Sequence, residues 1–158
     1  MFLTRGDFRV KAESFDLTNG RNILRIIAGA FMFPHVLGKF VNGGLNPAIV
    51  GFFKKAGFVP AEGWVWLAAT CETAAGIALV LGICTRFAAF GAAAVLLVAV
   101  YALQVVKGFG WLWNLGGYEY PIFWAIACVA IGIEEWKAFL ATGRKAGLAA
   151  GGAPKLAV

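Results

Sequence analysis

Residues 63–106 read GWVWLAATCETAAGIALVLGICTRFAAFGAAAVLLVAVYALQVV, and this stretch decides the fold. Two apolar runs, 63–84 and 87–106, are separated only by Thr85 and Arg86. Glu72 is the single charge in the first run, and the second has none. A bilayer core takes about 20 helical residues, and each run is that long. Strand-type alternation is absent, so a transmembrane barrel is excluded. Unpaired backbone groups are too costly in lipid, so each span must be a helix. A two-residue joint returns the second helix antiparallel to the first.

Two weaker spans flank this pair. Residues 23–41 form the first, interrupted by Arg25, His35 and Lys39. Residues 119–136 form the last and shortest. The expected fold is therefore all-α, an integral membrane bundle of four antiparallel helices at about 23–41, 63–84, 87–106 and 119–136. Gly29, Gly76, Gly82 and Gly91, with many alanines, favour close helix contacts. Residues 1–22 form a polar N-terminal segment without the apolar core of a cleavable signal. Residues 23–136 form the membrane domain, and 137–158 read as a flexible cytoplasmic tail. Between the first two spans, residues 42–62 hold a short interfacial helix near 47–56. Residues 107–118, KGFGWLWNLGGY, alternate glycine with aromatics and suit an interfacial loop.

Composition supports the membrane reading. The chain is 61% hydrophobic and 14% charged, against roughly 45–50% and about 25% in soluble domains. The formal charge is +6, but the basic residues are scattered, which argues against nucleic acid. With both termini on one side, that side carries ten lysines and arginines and the other carries four: Lys39, Lys54, Lys55 and Lys107. The asymmetry predicts cytoplasmic termini. Arg25 and Arg86 then lie at the cytoplasmic boundary, where snorkelling to lipid phosphates accounts for both. Cys71, Cys84 and Cys128 have no metal or CxxC spacing and read as buried, inert thiols. No metal site is expected.

The informative residues share the outer half. Helix rise places His35 about 9 Å, Lys39 about 3 Å and Glu72 about 13 Å below the outer boundary, with Glu119 opening the last helix there. His35 and Lys39, four apart, share a helix face. A lone carboxylate at the depth of Glu72 costs several kcal/mol, so it should face inward toward His35 or Lys39. Intramembrane ionisable groups are functional candidates by default; a structural lock that fixes helix register is the alternative. Trp64, Trp66, Trp111 and Trp113 cluster on the same side, as a binding surface or an interfacial aromatic belt.

The pattern R-x3-G…H-x3-K in the first helix, Glu72 and Gly76 in ETAAG, the turn LGICTRFAA, and GGYEYP before the last helix together resemble the DoxX family over about residues 22–133. Two features depart from the family pattern: Val36 follows the histidine where relatives usually have glycine, and GIEEWKAF stands where many have a Gly-Pro-Gly motif. The resemblance implies a four-helix protein of the bacterial inner membrane, in a family named for a subunit linked to thiosulfate:quinone oxidoreductase. Family membership alone does not define a reaction.

Two classes of function follow. One is a subunit of a redox complex, quinone- or sulfur-linked, with a ligand or proton site in the outer half. There His35 shuttles protons, Lys39 stabilises an anion, Glu72 stores a proton, and Trp111, Trp113 and Glu119 contribute to cofactor binding. A quinone is the candidate cofactor. Electrons must come from a protein partner, because a single histidine excludes bis-histidine haem and the cysteine spacing argues against an iron–sulfur cluster. The other class is a non-catalytic anchor or assembly subunit. A small-molecule or proton carrier is a third possibility and would call for a homo-oligomer. Membrane lipid is a partner in every case.

Overall fold

The computed structural model describes residues 3–151, with side chains described through residue 144. Two 3-10 turns, Arg5–Phe8 and Ala12–Phe15, precede α1 (Gly20–Ala30) and α2 (Met32–Leu37). A hairpin of β1 (Phe40–Val41) and β2 (Gly44–Leu45) leads to α3 (Pro47–Lys55). Then come α4 (Ala61–Leu81), α5 (Thr85–Lys107), a third 3-10 turn at Trp113–Leu115, and α6 (Glu119–Gly151).

Among the described residues, α4 and α5 are the two helices long and apolar enough to cross a membrane. They pack against each other; α1 packs on α4 and α6, and α5 packs most extensively on α6. The shared core is made of small residues, including Ala28, Ala75, Ala89, Ala92, Ala93 and Ala125, sealed by Met32, Leu79, Leu96, Trp124 and Ile131. Large apolar side chains point the other way: Leu97, Tyr101, Phe123 and Ile126 are all more than half exposed. This inversion suits lipid, where close van der Waals packing of small residues drives association. At the α1–α4 crossing, a Cβ on Gly29 would lie 2.7 Å from Leu79 Cβ and 2.8 Å from the Gly76 carbonyl oxygen. Gly91, expected to do the same, faces open space. Trp124 Nε1 donates to the Ala28 carbonyl at 3.1 Å, tying α6 to α1.

The first span is not one helix over 23–41. It breaks at Phe31 into α1 and α2. Pro34 lacks an N–H and its ring crowds the carbonyl four residues earlier, so the ladder cannot run through. After α2 the chain turns instead of continuing: Phe40 pairs with Leu45 and Val41 with Gly44. Asn42 and Gly43 form the hairpin tip at φ 50° and 79°, the left-handed pair required by the tightest hairpin turns.

The last helix also departs from expectation. It does not end at 136 with a flexible tail; it stays helical to Gly151. No proline occurs between Pro121 and Pro154, and Lys137 bridges Glu134 at 2.8 Å one turn away. Residues 152–158 of the expected tail lie outside the described residues. The longest charge-free run of α6 is Tyr120–Ile133; at about 1.5 Å per residue this run is about 21 Å long, short of a full bilayer core.

Candidate functional site

Two of the three catalytic candidates, Lys39 and Glu72, meet. Lys39 Nζ donates to Glu72 Oε2 at 2.6 Å, and both residues are about nine-tenths buried. Lys39 also donates to the His35 carbonyl at 3.1 Å. The geometry follows from the break after α2. Lys39 lies just past the helix end, so its side chain folds back under the preceding turn and reaches across to α4.

Asn46, which the sequence reading did not single out, fixes this exit. Its backbone N–H donates to the Lys39 carbonyl at 2.8 Å and its Nδ2 to the Gly38 carbonyl at 3.1 Å. Its Oδ1 accepts from Ala48 N at 3.0 Å and caps α3. The signals for it were present: Asn-Gly at 42–43 marks a hairpin, and Asn-Pro at 46–47 marks a helix start.

The ion pair forms the polar base of a cavity of about 460 Å³ that is otherwise apolar. Phe52, Phe53, Phe58 and Trp64 line it together with Val95, Val98 and Ala99 of α5. The aromatic wall is continuous: Phe53–Phe58, Phe58–Trp64 and Phe58–Tyr101 have ring centroids 5.4, 5.2 and 6.1 Å apart. Cys71 also lines this space. His35 sits at its edge, with its ring 5.4 Å from Trp124. Its backbone, not its imidazole, makes the hydrogen bond to Lys39.

Trp111, Trp113 and Glu119 are elsewhere. They line a second cavity of about 510 Å³ with Tyr120, Ile122, Phe123 and Ile126. None of the three borders the Lys39–Glu72 cavity. The reason is the loop they sit on. Tyr118 N bonds the Gly110 carbonyl at 2.9 Å and Glu119 N the Trp111 carbonyl at 3.1 Å, closing residues 110–119 on themselves. Trp124 stands between the regions, 5.4 Å from the His35 ring and 5.6 Å from Tyr120. Trp66 packs on Phe40, not in either cavity.

The opposite ends of the helices carry a third, polar cavity of about 340 Å³. Here the two arginines expected at lipid phosphates are turned inward. Arg25 is buried and donates to the carbonyls of Leu79, Val80 and Ser14, closing the C-terminus of α4. Arg86 is buried too, paired with Asp7 at 2.8 Å and lying 3.9 Å over the Phe139 ring. The N-terminal segment makes this possible: Asp7 also accepts Cys84 N on its carbonyl at 2.7 Å, inside the α4–α5 turn. Burial alone would push the Asp7 carboxyl up. Hydrogen bonds from the Thr4 N–H and hydroxyl and from Arg86, with the Arg86 charge, outweigh it and hold the group below its ordinary value.

The DoxX family model matches residues 20–105, from the start of α1 to near the end of α5. This is more than half of the chain, which belongs to the DoxX family and is a membrane protein. The match includes His35, Lys39 and Glu72 and stops before Trp111, Trp113, Glu119 and α6, short of residue 133 to which the resemblance was read. No curated protein and no solved structure matches the chain.

Proposed function

We propose that this chain is an integral membrane subunit of a redox assembly that binds a small amphipathic molecule of the quinone type at Lys39 and Glu72. One observation carries the reading: a directly contacting ion pair at the base of an apolar, aromatic-walled cavity. Small-molecule sites have this character, with apolar walls and a few placed polar groups. An ammonium has three donors, and Lys39 directs two of them to Glu72 and the His35 carbonyl. The third is available to a ligand oxygen, and the phenylalanines suit a flat apolar body.

A quinone, when bound, would accept two electrons and two protons. Lys39 orients its oxygen and offsets developing negative charge. Glu72, against Lys39, and His35, at the cavity edge, hold and pass protons. A protein partner supplies the electrons, since the sequence carries no haem, iron–sulfur or nucleotide signature. In this reading α1–α2, α4, α5 and the first half of α6 are four spans in a bacterial inner membrane, with cytoplasmic termini. The basic asymmetry of ten against four supports that orientation.

A second reading has its own support. The Lys39–Glu72 pair joins the chain after α2 to α4, and a pair already closed at 2.6 Å also suits a structural lock in a non-catalytic anchor. Organic extraction of the detergent-purified protein, followed by titration with a short-chain quinone, separates the two. A co-extracted or saturably bound quinone, lost in the folded Lys39→Met/Glu72→Leu variant, is expected. Neither co-extraction nor saturable binding in the folded wild type would leave the anchor reading.

A further inference from the structure

We infer that the polar cavity at the N-terminal ends of α1 and α5 binds a phosphate-type anion. This site is at the opposite end of the helices from Lys39 and Glu72 and is independent of the quinone reading. Four basic side chains face it, Lys11, Arg21, Arg25 and Arg86, against three acidic ones, Asp7, Glu13 and Glu135.

The pairing inside the cavity shows where the excess lies. Arg86 is matched by Asp7 at 2.8 Å and Arg21 by Glu135 at 3.7 Å. Arg25 is different. Its described hydrogen bonds all go to neutral carbonyls, those of Leu79, Val80 and Ser14, so its geometry is satisfied while its charge is not matched by a contacting carboxylate. Helix polarity adds to this. α1, of 11 residues, and α5, of 23, both begin at the cavity, and each N-terminus contributes about half a positive charge. The C-terminus of α4 opposes them with about half a negative charge, and its terminal carbonyls are the ones Arg25 occupies. The balance is a surplus of between one and two positive charges in a polar space of about 340 Å³.

A single phosphate group with its substituent matches that charge and size. Two sources share this chemistry. One is the headgroup of an anionic phospholipid, since the cavity lies where the membrane-competent helices α4 and α5 end and begin. The other is a free phosphate or small phosphate ester. Either would clamp the N-terminal segment, which supplies Asp7, Lys11 and Glu13, onto the helix ends.

The test uses the full chain in a neutral detergent, with melting followed by tryptophan fluorescence. The additions are inorganic phosphate, short-chain phosphatidylglycerol, short-chain phosphatidylcholine, and chloride at matched ionic strength. Stabilisation by phosphate beyond chloride supports the site with a free anion as occupant; stabilisation by phosphatidylglycerol beyond phosphatidylcholine supports it with a headgroup. Lys11 and Arg21 are exposed, so Lys11→Gln with Arg21→Gln should leave the fold intact while weakening the effective addition roughly tenfold or more, as expected for two basic contacts. Lys11→Arg with Arg21→Lys should restore most of it. Absence of stabilisation beyond the controls by both additions, or an unchanged midpoint in the glutamine variant, would overturn the assignment.

Discussion

Removing either partner of the Lys39–Glu72 pair should be far more harmful than removing both. At 2.6 Å and an effective dielectric constant of about 20, the attraction is about 6 kcal/mol. Taking the two ions out of water costs several kcal/mol each, so the intact pair contributes little net stability. A single substitution is different, because it strands the other charge in a cavity that is otherwise apolar. Lys39→Met and Glu72→Leu should therefore each destabilise by about 3–5 kcal/mol, a fall in Tm of about 6–20 °C for a chain of this length. Glu72→Gln retains an acceptor for Lys39 and should lose less than Glu72→Leu. The double variant Lys39→Met/Glu72→Leu should return to within about 2 kcal/mol of the wild type. Thermal melting of the four purified variants in one detergent measures this directly. Additive losses in the double variant, or single losses below about 1 kcal/mol, would refute the buried-pair argument.

Other outcomes follow from separate parts of the structure. Gly29→Ala should destabilise by about 1–3 kcal/mol, because its Cβ would meet Leu79 and the Gly76 carbonyl; Gly91→Ala, inside α5 and facing open space, should be neutral or stabilise by up to about 1 kcal/mol in the same melting assay. Asn46→Ala should lose about 1 kcal/mol through the α3 cap and also weaken short-chain quinone binding, since Asn46 pins the backbone that presents Lys39. Asp7 sits below its ordinary value in the folded protein, so its contribution is present above the unfolded carboxylate range near pH 4 and disappears as pH falls through the folded value. The wild type should accordingly lose more stability than Asp7→Asn on acidification, and equal losses in the two melting series would count against the Arg86 pairing.

What the sequence disclosed depended on how local the signal was. The runs at 63–84 and 87–106 identify two apolar helices because length and hydropathy are properties of the run itself. The short helix near 47–56 was legible for the same reason, and α3 occupies Pro47–Lys55. Depth arithmetic placed Glu72 on the same side as His35 and Lys39 but left both as partners and put it nearer His35; the contact with Lys39 is decided by the structure. The same arithmetic treated residues 23–41 as one rod, and so missed the break at Phe31 and the hairpin at Asn42–Gly43, which let Lys39 fold back. Arg25 and Arg86 were read as lipid-facing because composition cannot show that the N-terminal segment folds across the helix ends and offers them Ser14 and Asp7. Trp111 and Trp113 shared a level with the ion pair but not a cavity, a separation set by the closed 110–119 loop. That distinction is lateral, and hydropathy records only depth.

The central claim is that a quinone-type molecule occupies the cavity over Lys39 and Glu72. Photolabelling of the purified full chain with an azidoquinone, followed by peptide mapping, tests it most directly. The account predicts label on α3 and the first half of α4, around Phe52, Phe53, Trp64 and Leu67, displaced by excess unlabelled quinone and strongly reduced in the folded Lys39→Met/Glu72→Leu variant. Label confined to the Trp111, Trp113 and Phe123 face, or label that excess quinone does not displace, would contradict it.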